Sequence, residues 1–295
     1  MECIKRMIVK GKAEQINNNV WKLERNGRYY SVKHYDSSST LYKVNAIHEK
    51  LRSLSFPHII SVIPSEHPLL FTQPWLRKAR AVNFKKRADR TESLEALIDL
   101  HETQSQFDWK TADYLHEYPL IAKWEDRLFR FESIREACEM YIGKAAVDDI
   151  IFYAESALRV VRKSYNQEKK ITLLHGDVVH HNILRDKKGI IRFIDFDLAC
   201  IGPAGTEIAL WMHRVLPQID YDLTFLLNEQ PSLQKLDKSS LNLLLYPNEI
   251  LREWLHFFSL SKDSQERQLK NMLPFTESAL SHWPKLWYNV ERIKN

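Results

Sequence analysis

Glycine is scarce in this chain, seven in 295 residues, and neither a low-complexity tract nor an internal repeat is present. Flexible glycine-rich linkers and repeat architectures are therefore excluded. Cysteine is scarcer still. Cys3, Cys138 and Cys200 are odd in number and far apart, which gives neither a disulfide framework nor paired metal ligands. A reducing, cytoplasmic compartment is the one expected. No run of about 18 apolar residues occurs, so neither a transmembrane helix nor a membrane partner is expected. Residues 1–6 begin no apolar segment of signal-peptide length. The formal net charge of +5 is mild. The basic run Lys85-Lys86-Arg87 has no interleaved aromatics and reads as a solvated face, so nucleic acid is not an expected partner. An apolar content of 44% with 27% charged residues is ordinary for a globular protein, and the length suffices for two lobes around a sizeable core.

The chemistry is concentrated between residues 174 and 197. Leu174-His175-Gly176-Asp177 is followed by Asn182 five positions after the aspartate, and Ile194-Asp195-Phe196-Asp197 places Asp195 at offset 18. An apolar run that reads as a buried strand precedes Asp177 and another precedes Asp195. Asn182-Ile183-Leu184-Arg185 and Ile190-Ile191-Arg192-Phe193-Ile194 read as two strands joined by the turn Asp186-Lys187-Lys188-Gly189, with Gly189 free to take positive φ. Such a hairpin sets Asn182 and Asp195 side by side at its open end. An amide oxygen beside a carboxylate suits Mg²⁺, which takes hard oxygen ligands and completes its shell with phosphates and water. Asp177, on the tight loop before the hairpin, faces the same point and can orient or deprotonate a hydroxyl. A histidine-based metal centre built on His175, His180 and His181 would need further His and Asp clusters at matching spacing, and the sequence has none.

His175-Gly176-Asp177-x4-Asn182 with Ile194-Asp195-Phe196-Asp197 resembles the aminoglycoside phosphotransferase and choline kinase superfamily, which is protein-kinase-like. Protein kinases usually carry Arg where this chain has Gly176. Ala122-Lys123-Trp124-Glu125-Asp126-Arg127-Leu128, Phe71-Thr72-Gln73-Pro74-Trp75-Leu76 and Leu97-Ile98-Asp99-Leu100-His101 look like the spore-coat-associated branch of that superfamily. The resemblance implies an α+β, two-lobed protein-kinase-like fold. Residues 1–76 would form a small antiparallel-sheet lobe that binds nucleotide, and residues 77–295 a larger, mostly helical catalytic and substrate lobe. It also implies ATP and Mg²⁺ as cofactors, Asp177 as catalytic residue, and Asn182 and Asp195 as metal ligands. The expected acceptor is a hydroxyl of a small molecule or glycan, with spore-coat proteins as partners in the branch-specific reading. The rival is a catalytically idle kinase-like structural or binding protein.

The first seventy residues suit the small lobe. Residues 20–24 and 28–33 alternate around Asn26-Gly27, the strongest short hairpin signal. Ser31 and Lys33 share the face opposite Tyr30 and Val32, which turns Lys33 away from the apolar side. Residues 37–40 can cap a helix whose apolar stripe is Leu41, Val44, Ile47, Leu51 and Leu54, with Glu49 near the stripe's edge. Strands are expected around residues 59–63 and 69–72. By resemblance, Lys33 holds phosphate oxygens and Glu49 is its ion-pair partner. The nucleotide turn is expected at residues 17–19, centred on Asn18, where asparagine replaces the usual glycines. An adenine contact is expected at Gln73 and Trp75, through a neighbouring carbonyl or the amide of Trp75 or Leu76, because Pro74 lacks an N–H.

Beyond residue 80 the pattern is helical. Leu94, Leu97, Ile98 and His101 mark one helix, Trp124, Leu128, Phe131 and Ile134 another, and Ile150, Ala154, Leu158 and Val161 a third. After Asp197 the superfamily usually shows Gly-Asp-Pro and then an Asp before a helix. Here Pro203 stands at the first acid and Glu207 near the second. Glu207 either orients the catalytic loop or simply favours a helix dipole. Asp197 either assists a second metal or bonds the catalytic loop. Thr206 lies eleven positions after Asp195, too few for a peptide-docking platform. Trp211, His213, Arg214, Trp254 and His256 are expected to close over a small polar acceptor.

Overall fold

The computed structural model describes residues 12–65, 67–165 and 170–293. Cys3 and residues 1–6 lie outside them. Two compact units divide the chain. One takes the chain up to Asn83, then Glu92–Glu117 and Ile171–Ile201; the other takes Phe84–Thr91, Tyr118–Lys170 and Gly202–Asn295.

The first unit opens with an antiparallel sheet in the order β1 (Lys12–Asn17), β2 (Val20–Arg25), β3 (Arg28–His34) and β4 (Leu70–Pro74). Asn26 and Gly27, with φ of 52° and 70°, make the two-residue turn that lets Arg25 pair with Arg28. Both signs are positive, as a type I′ turn requires. Leu23, Val32 and Leu70 are buried together, with Ala13, Trp21 and Tyr30 packed against them. At about 1.5–3 kcal/mol for each fully buried aliphatic side chain, this cluster fixes the register.

Helix α1 (Ser38–Ser53) starts at Ser37, whose hydroxyl accepts the Thr40 N–H at 3.3 Å. It buries Leu41, Val44, Ile47, His48 and Leu51. Leu54 falls just past its end, and Ser55 reverses the chain with φ 56°.

One expectation for this sheet needs correction. Residues 59–63 do not form a strand; Ile63 alone bridges to Thr72. The Ile60 carbonyl is taken by the Gln73 side-chain amide at 3.0 Å and the Ile59 carbonyl by Arg192 at 3.2 Å, so side chains replace the ladder. Conversely, residues 12–17 form a full strand. Its exposed, polar face carries no alternation a sequence pattern would register.

The same unit holds a second sheet, in the order β5 (Arg80–Ala81), β7 (Ile183–Arg185) and β8 (Ile191–Phe193). Strand β6 (Ile171–Leu174) is buried along its whole length. Helix α2 (Arg87–Glu102) covers the expected stripe from Leu94 to His101 and enters this unit at Glu92.

The second unit is helical. Leu120–Ser133 and Lys144–Ser164 are the two helices expected there, and Ala204–Val215, Asn248–Ser259 and Lys262–Ile293 are its longer later ones. Its core is aromatic: Trp124 stacks on Tyr246 with centroids 4.3 Å apart, and the Tyr246 hydroxyl donates to the Trp124 carbonyl at 2.7 Å. The expectation that Trp211, His213 and Trp254 face an acceptor is overturned, because all three are buried in this interior. Arg214 is paired with Glu249. Of the five residues expected there, His256 alone is exposed.

Candidate active site

The predicted catalytic, metal and nucleotide residues (Asp177, Asn182, Asp195, Lys33, Glu49, Asn18, Gln73 and Trp75) all belong to the first unit. The hairpin of β7 and β8 forms as its spacing requires. The Asp186 carboxylate accepts the N–H groups of Lys188 and Ile190 at 2.8 and 3.0 Å, and Gly189 takes φ 86°. Burial pushes the Asp186 carboxyl up, but those two amides and Arg192 hold it below its ordinary value. Ile183 pairs with Phe193, and the Ile194 N–H donates to the Asn182 carbonyl at 3.0 Å. Asn182 and Asp195 therefore flank the open end of the ladder. Asp195 has left-handed backbone, φ 67° and ψ 65°, a conformation costing a non-glycine residue roughly 1–2 kcal/mol. That twist leaves the Asp195 side chain 41% exposed while Phe196 is fully buried.

Asn182 also reaches back to the loop before the hairpin. Its Nδ2 donates to the Asp177 carbonyl at 3.1 Å and to its Oδ2 at 3.0 Å. Both partners are acceptors, which fixes the amide orientation and leaves Oδ1 as the atom that can face a cation. The loop itself is anchored by His175. Its Nδ1 accepts the Asp177 N–H at 3.3 Å, so Nε2 carries the proton and donates to the Ile194 carbonyl at 2.9 Å. The ring lies 4.6 Å from that of Phe196. Gly176 has φ 83°, and a Cβ there would stand 2.0 Å from the Leu198 carbonyl oxygen. Only glycine lets the two loops approach so closely.

Lys33 projects from β3 onto these loops. Its Nζ donates to Asp195 Oδ1 at 2.8 Å and to Asp197 Oδ2 at 2.5 Å. Tyr35, two residues on and on the same face, donates its hydroxyl to Asp197 Oδ1 at 2.6 Å. Burial raises the Tyr35 phenol and the bond to Asp197 raises it further. The two carboxylates diverge. Burial pushes Asp195 up, but Lys33 overrides it and holds the group below the usual range. Asp197 is raised, first by burial and then by Asp195, with Lys33 and Tyr35 opposing.

Other predicted residues are placed differently. Glu49 is exposed on α1 and is not brought to Lys33, whose ion-pair partners among the described residues are Asp195 and Asp197. The helix turns another residue inward instead: Lys43, six positions from Glu49 and so about 120° around the axis. Lys43 Nζ donates to the Asp197 and Ala199 carbonyls at 2.7 and 3.2 Å. Asn18 is exposed at the tip of the β1–β2 hairpin. The turn is closed by the Asn17 side chain, which accepts the Asn19 N–H at 3.1 Å, and neither Asn18 nor Asn19 takes positive φ.

The Gln73 side chain is committed to Ile60, and the Trp75 N–H donates to the Tyr29 carbonyl at 2.9 Å. Backbone polar groups alternate sides along a strand, so the Pro74 carbonyl points away from β3. Glu207 is fully buried in the first turn of Ala204–Val215, in the second unit. Sequence reasoning missed Tyr35, Lys43 and the interior His48. Of these only Tyr35 left a signal, its two-residue offset from Lys33.

The loops bring together an amide, a carboxylate held below its usual range, a second carboxylate and a lysine, groups that could hold a hard cation and an anionic phosphate. Residues 12–220 match the model of APH, a phosphotransferase enzyme family. The chain belongs to this family. Solved structures agree on the kinase-like fold, with an antiparallel-sheet N-terminal part and a mostly helical C-terminal part. An aminoglycoside phosphotransferase from Alicyclobacillus acidocaldarius is 16% identical with a TM-score of 0.70, the match covering 98% of this chain and 96% of that one. The AMP-bound spectinomycin phosphotransferase APH(9)-Ia is 15% identical with a TM-score of 0.64, over 94% and 97%. The choline kinase LicA from Streptococcus pneumoniae is 11% identical with a TM-score of 0.53, over 94% and 98%. No curated protein matches the chain significantly by sequence. Among the described residues no helix is long and apolar enough to cross a membrane, and no group of three or more His, Cys, Asp and Glu is placed to hold a metal.

Proposed function

We propose that the chain is an ATP- and Mg²⁺-dependent phosphotransferase whose acceptor is a hydroxyl group of a small molecule or glycan. The observation that carries this reading is the double use of Asn182. Its side-chain nitrogen holds the Asp177 carboxylate, and its backbone carbonyl is bonded to Ile194, the residue before Asp195, at the end of one hairpin. Asp177 is then oriented to accept the acceptor's proton, while Asn182 Oδ1 and Asp195 hold the metal. Mg²⁺-ATP supplies the phosphoryl group and the charge neutralisation on its oxygens. Lys33, bonded to both Asp195 and Asp197, has the reach to hold phosphate oxygens beside them. The adenine edge would read the Pro74 carbonyl and the Leu76 N–H, since the Trp75 N–H is spent on β3.

Residues 1–76 serve as the nucleotide-binding part in this reading, with the β1–β2 turn at Asn18 over the phosphates, and residues 77–295 as the catalytic and substrate part. The small-molecule acceptor is supported by the family and by its neighbours. Their names specify aminoglycosides, spectinomycin and choline.

Thermal denaturation tests the reading. Millimolar Mg²⁺-ATP should raise the melting temperature by mass action, by about 2.7 kcal/mol of stability at a hundredfold excess over Kd. Asp195→Ala should remove the metal-dependent part. If neither ATP nor GTP with Mg²⁺ shifts the wild type, an idle kinase-like binding protein takes its place. A spore-coat setting rests on the three motif stretches at residues 71–76, 97–101 and 122–128.

A further inference from the structure

We infer that Lys43 is a positioning residue, the tie between helix α1 and the loop that carries the metal-binding carboxylate; the inference deepens the phosphotransferase reading and rests on it. The contacts are direct. Lys43 Nζ donates to two carbonyls on one side of the loop, Asp197 at 2.7 Å and Ala199 at 3.2 Å. Between them, the Leu198 carbonyl faces Gly176 so closely that a Cβ would overlap it. Gly176 is covalently next to Asp177, and Asp197 is two residues from Asp195. Lys33 and Tyr35 hold the Asp197 side chain, and the Lys43 ammonium holds the backbone of the segment against which both functional loops are registered.

Glu49 is exposed and away from Lys33, so it does not make this tie. A lysine suits the task because its compact cation bonds two carbonyls at once, and its charge offsets a loop bearing two carboxylates. Each charge-assisted hydrogen bond is worth about tenfold in the loop's opening equilibrium, so losing both should loosen the loop by about a hundredfold.

The test is hydrogen exchange on residues 195–200 of the full-length protein, paired with metal affinity. Lys43→Met should speed exchange there about a hundredfold. Lys43→Gln, which keeps donors but loses charge and reach, should also speed it. Lys50→Met, on the same helix but lying over Phe107 at 4.0 Å, should change nothing in this loop. In calorimetry, the apparent affinity for Mg²⁺ in the presence of ADP should fall in Lys43→Met, because a smaller fraction of the protein holds the carboxylate in place. The affinity for ADP in EDTA should stay. Wild-type exchange in both Lys43 variants, equal loosening by Lys50→Met, or an unchanged Mg²⁺ affinity would overturn the inference. If the wild type binds no ADP, the phosphotransferase reading falls, while the exchange comparison still decides what Lys43 does.

Discussion

Replacing Gly176 by alanine isolates the cost of bringing two loops into contact. Two penalties add at this position. The residue has φ 83°, and its Cβ would lie 2.0 Å from the Leu198 carbonyl oxygen and 2.5 Å from its carbon. The first penalty is the left-handed backbone, roughly 1–2 kcal/mol for a residue with a Cβ, less the roughly 0.4–1 kcal/mol gained by restricting the unfolded chain. The second is displacement of a packed backbone, about 1–3 kcal/mol as for overpacking. Gly189 supplies the control. Its φ is 86°, yet nothing lies within 4 Å of a Cβ built there. Gly189→Ala should therefore cost about 1 kcal/mol and Gly176→Ala about 2–4 kcal/mol. Urea denaturation of the two variants and the wild type, followed by tryptophan fluorescence, measures the difference. Equal losses would refute the reasoning, because they would mean that Leu198 yields without cost. Phosphoryl transfer should suffer only in Gly176→Ala, since the displaced segment adjoins Asp177.

Two further outcomes are expected. Asp177→Asn should keep nucleotide binding and lose turnover by roughly two orders of magnitude or more, as for loss of a general base; equal turnover in steady-state assays would remove that role from Asp177. Acid should destabilise the protein through two interior histidines: burial lowers His48 and His213 from 6.5 to about 4. The unfolded chain takes up these protons first, so their contribution is intact above pH 6.5 and is lost as the pH falls towards 4. At 1.36 kcal/mol per pH unit each is worth about 3 kcal/mol. Urea midpoints measured between pH 7 and 4.5 should fall steeply, and a flat profile in His48→Gln and wild type alike would show that His48 is not buried neutral.

The legible parts of the fold were those with a local cause. Asn26-Gly27 specified its hairpin, Ser37 its helix start, and the residues from Asn182 to Asp195 their own ladder, because each signal and its consequence lie within a few residues. The illegible parts depend on partners distant in sequence. Residues 59–63 look like a strand, yet their carbonyls are claimed by Gln73 and Arg192, and no window around Ile60 contains that information. Trp211 and Trp254 look like a binding face and are core. Lys43 sits in α1 with nothing to distinguish it from Lys50, because its acceptors are backbone carbonyls more than 150 positions away. The expected Glu49 contact followed from family spacing, and the rotation of α1 presents a different residue.

The hairpin at residues 183–193 has a bearing on how such a site can change over time. The interval between Asn182 and Asp195 is set by the Ile183–Phe193 rung and by the bond from Ile194 to the Asn182 carbonyl. The turn at the far end, closed by Asp186 and Gly189, takes no part in it. Lengthening or rewriting that turn should therefore leave the separation of Asn182 and Asp195 unchanged. The spacing of the two residues is carried by backbone pairing at that end of the ladder, which side-chain substitution alters little.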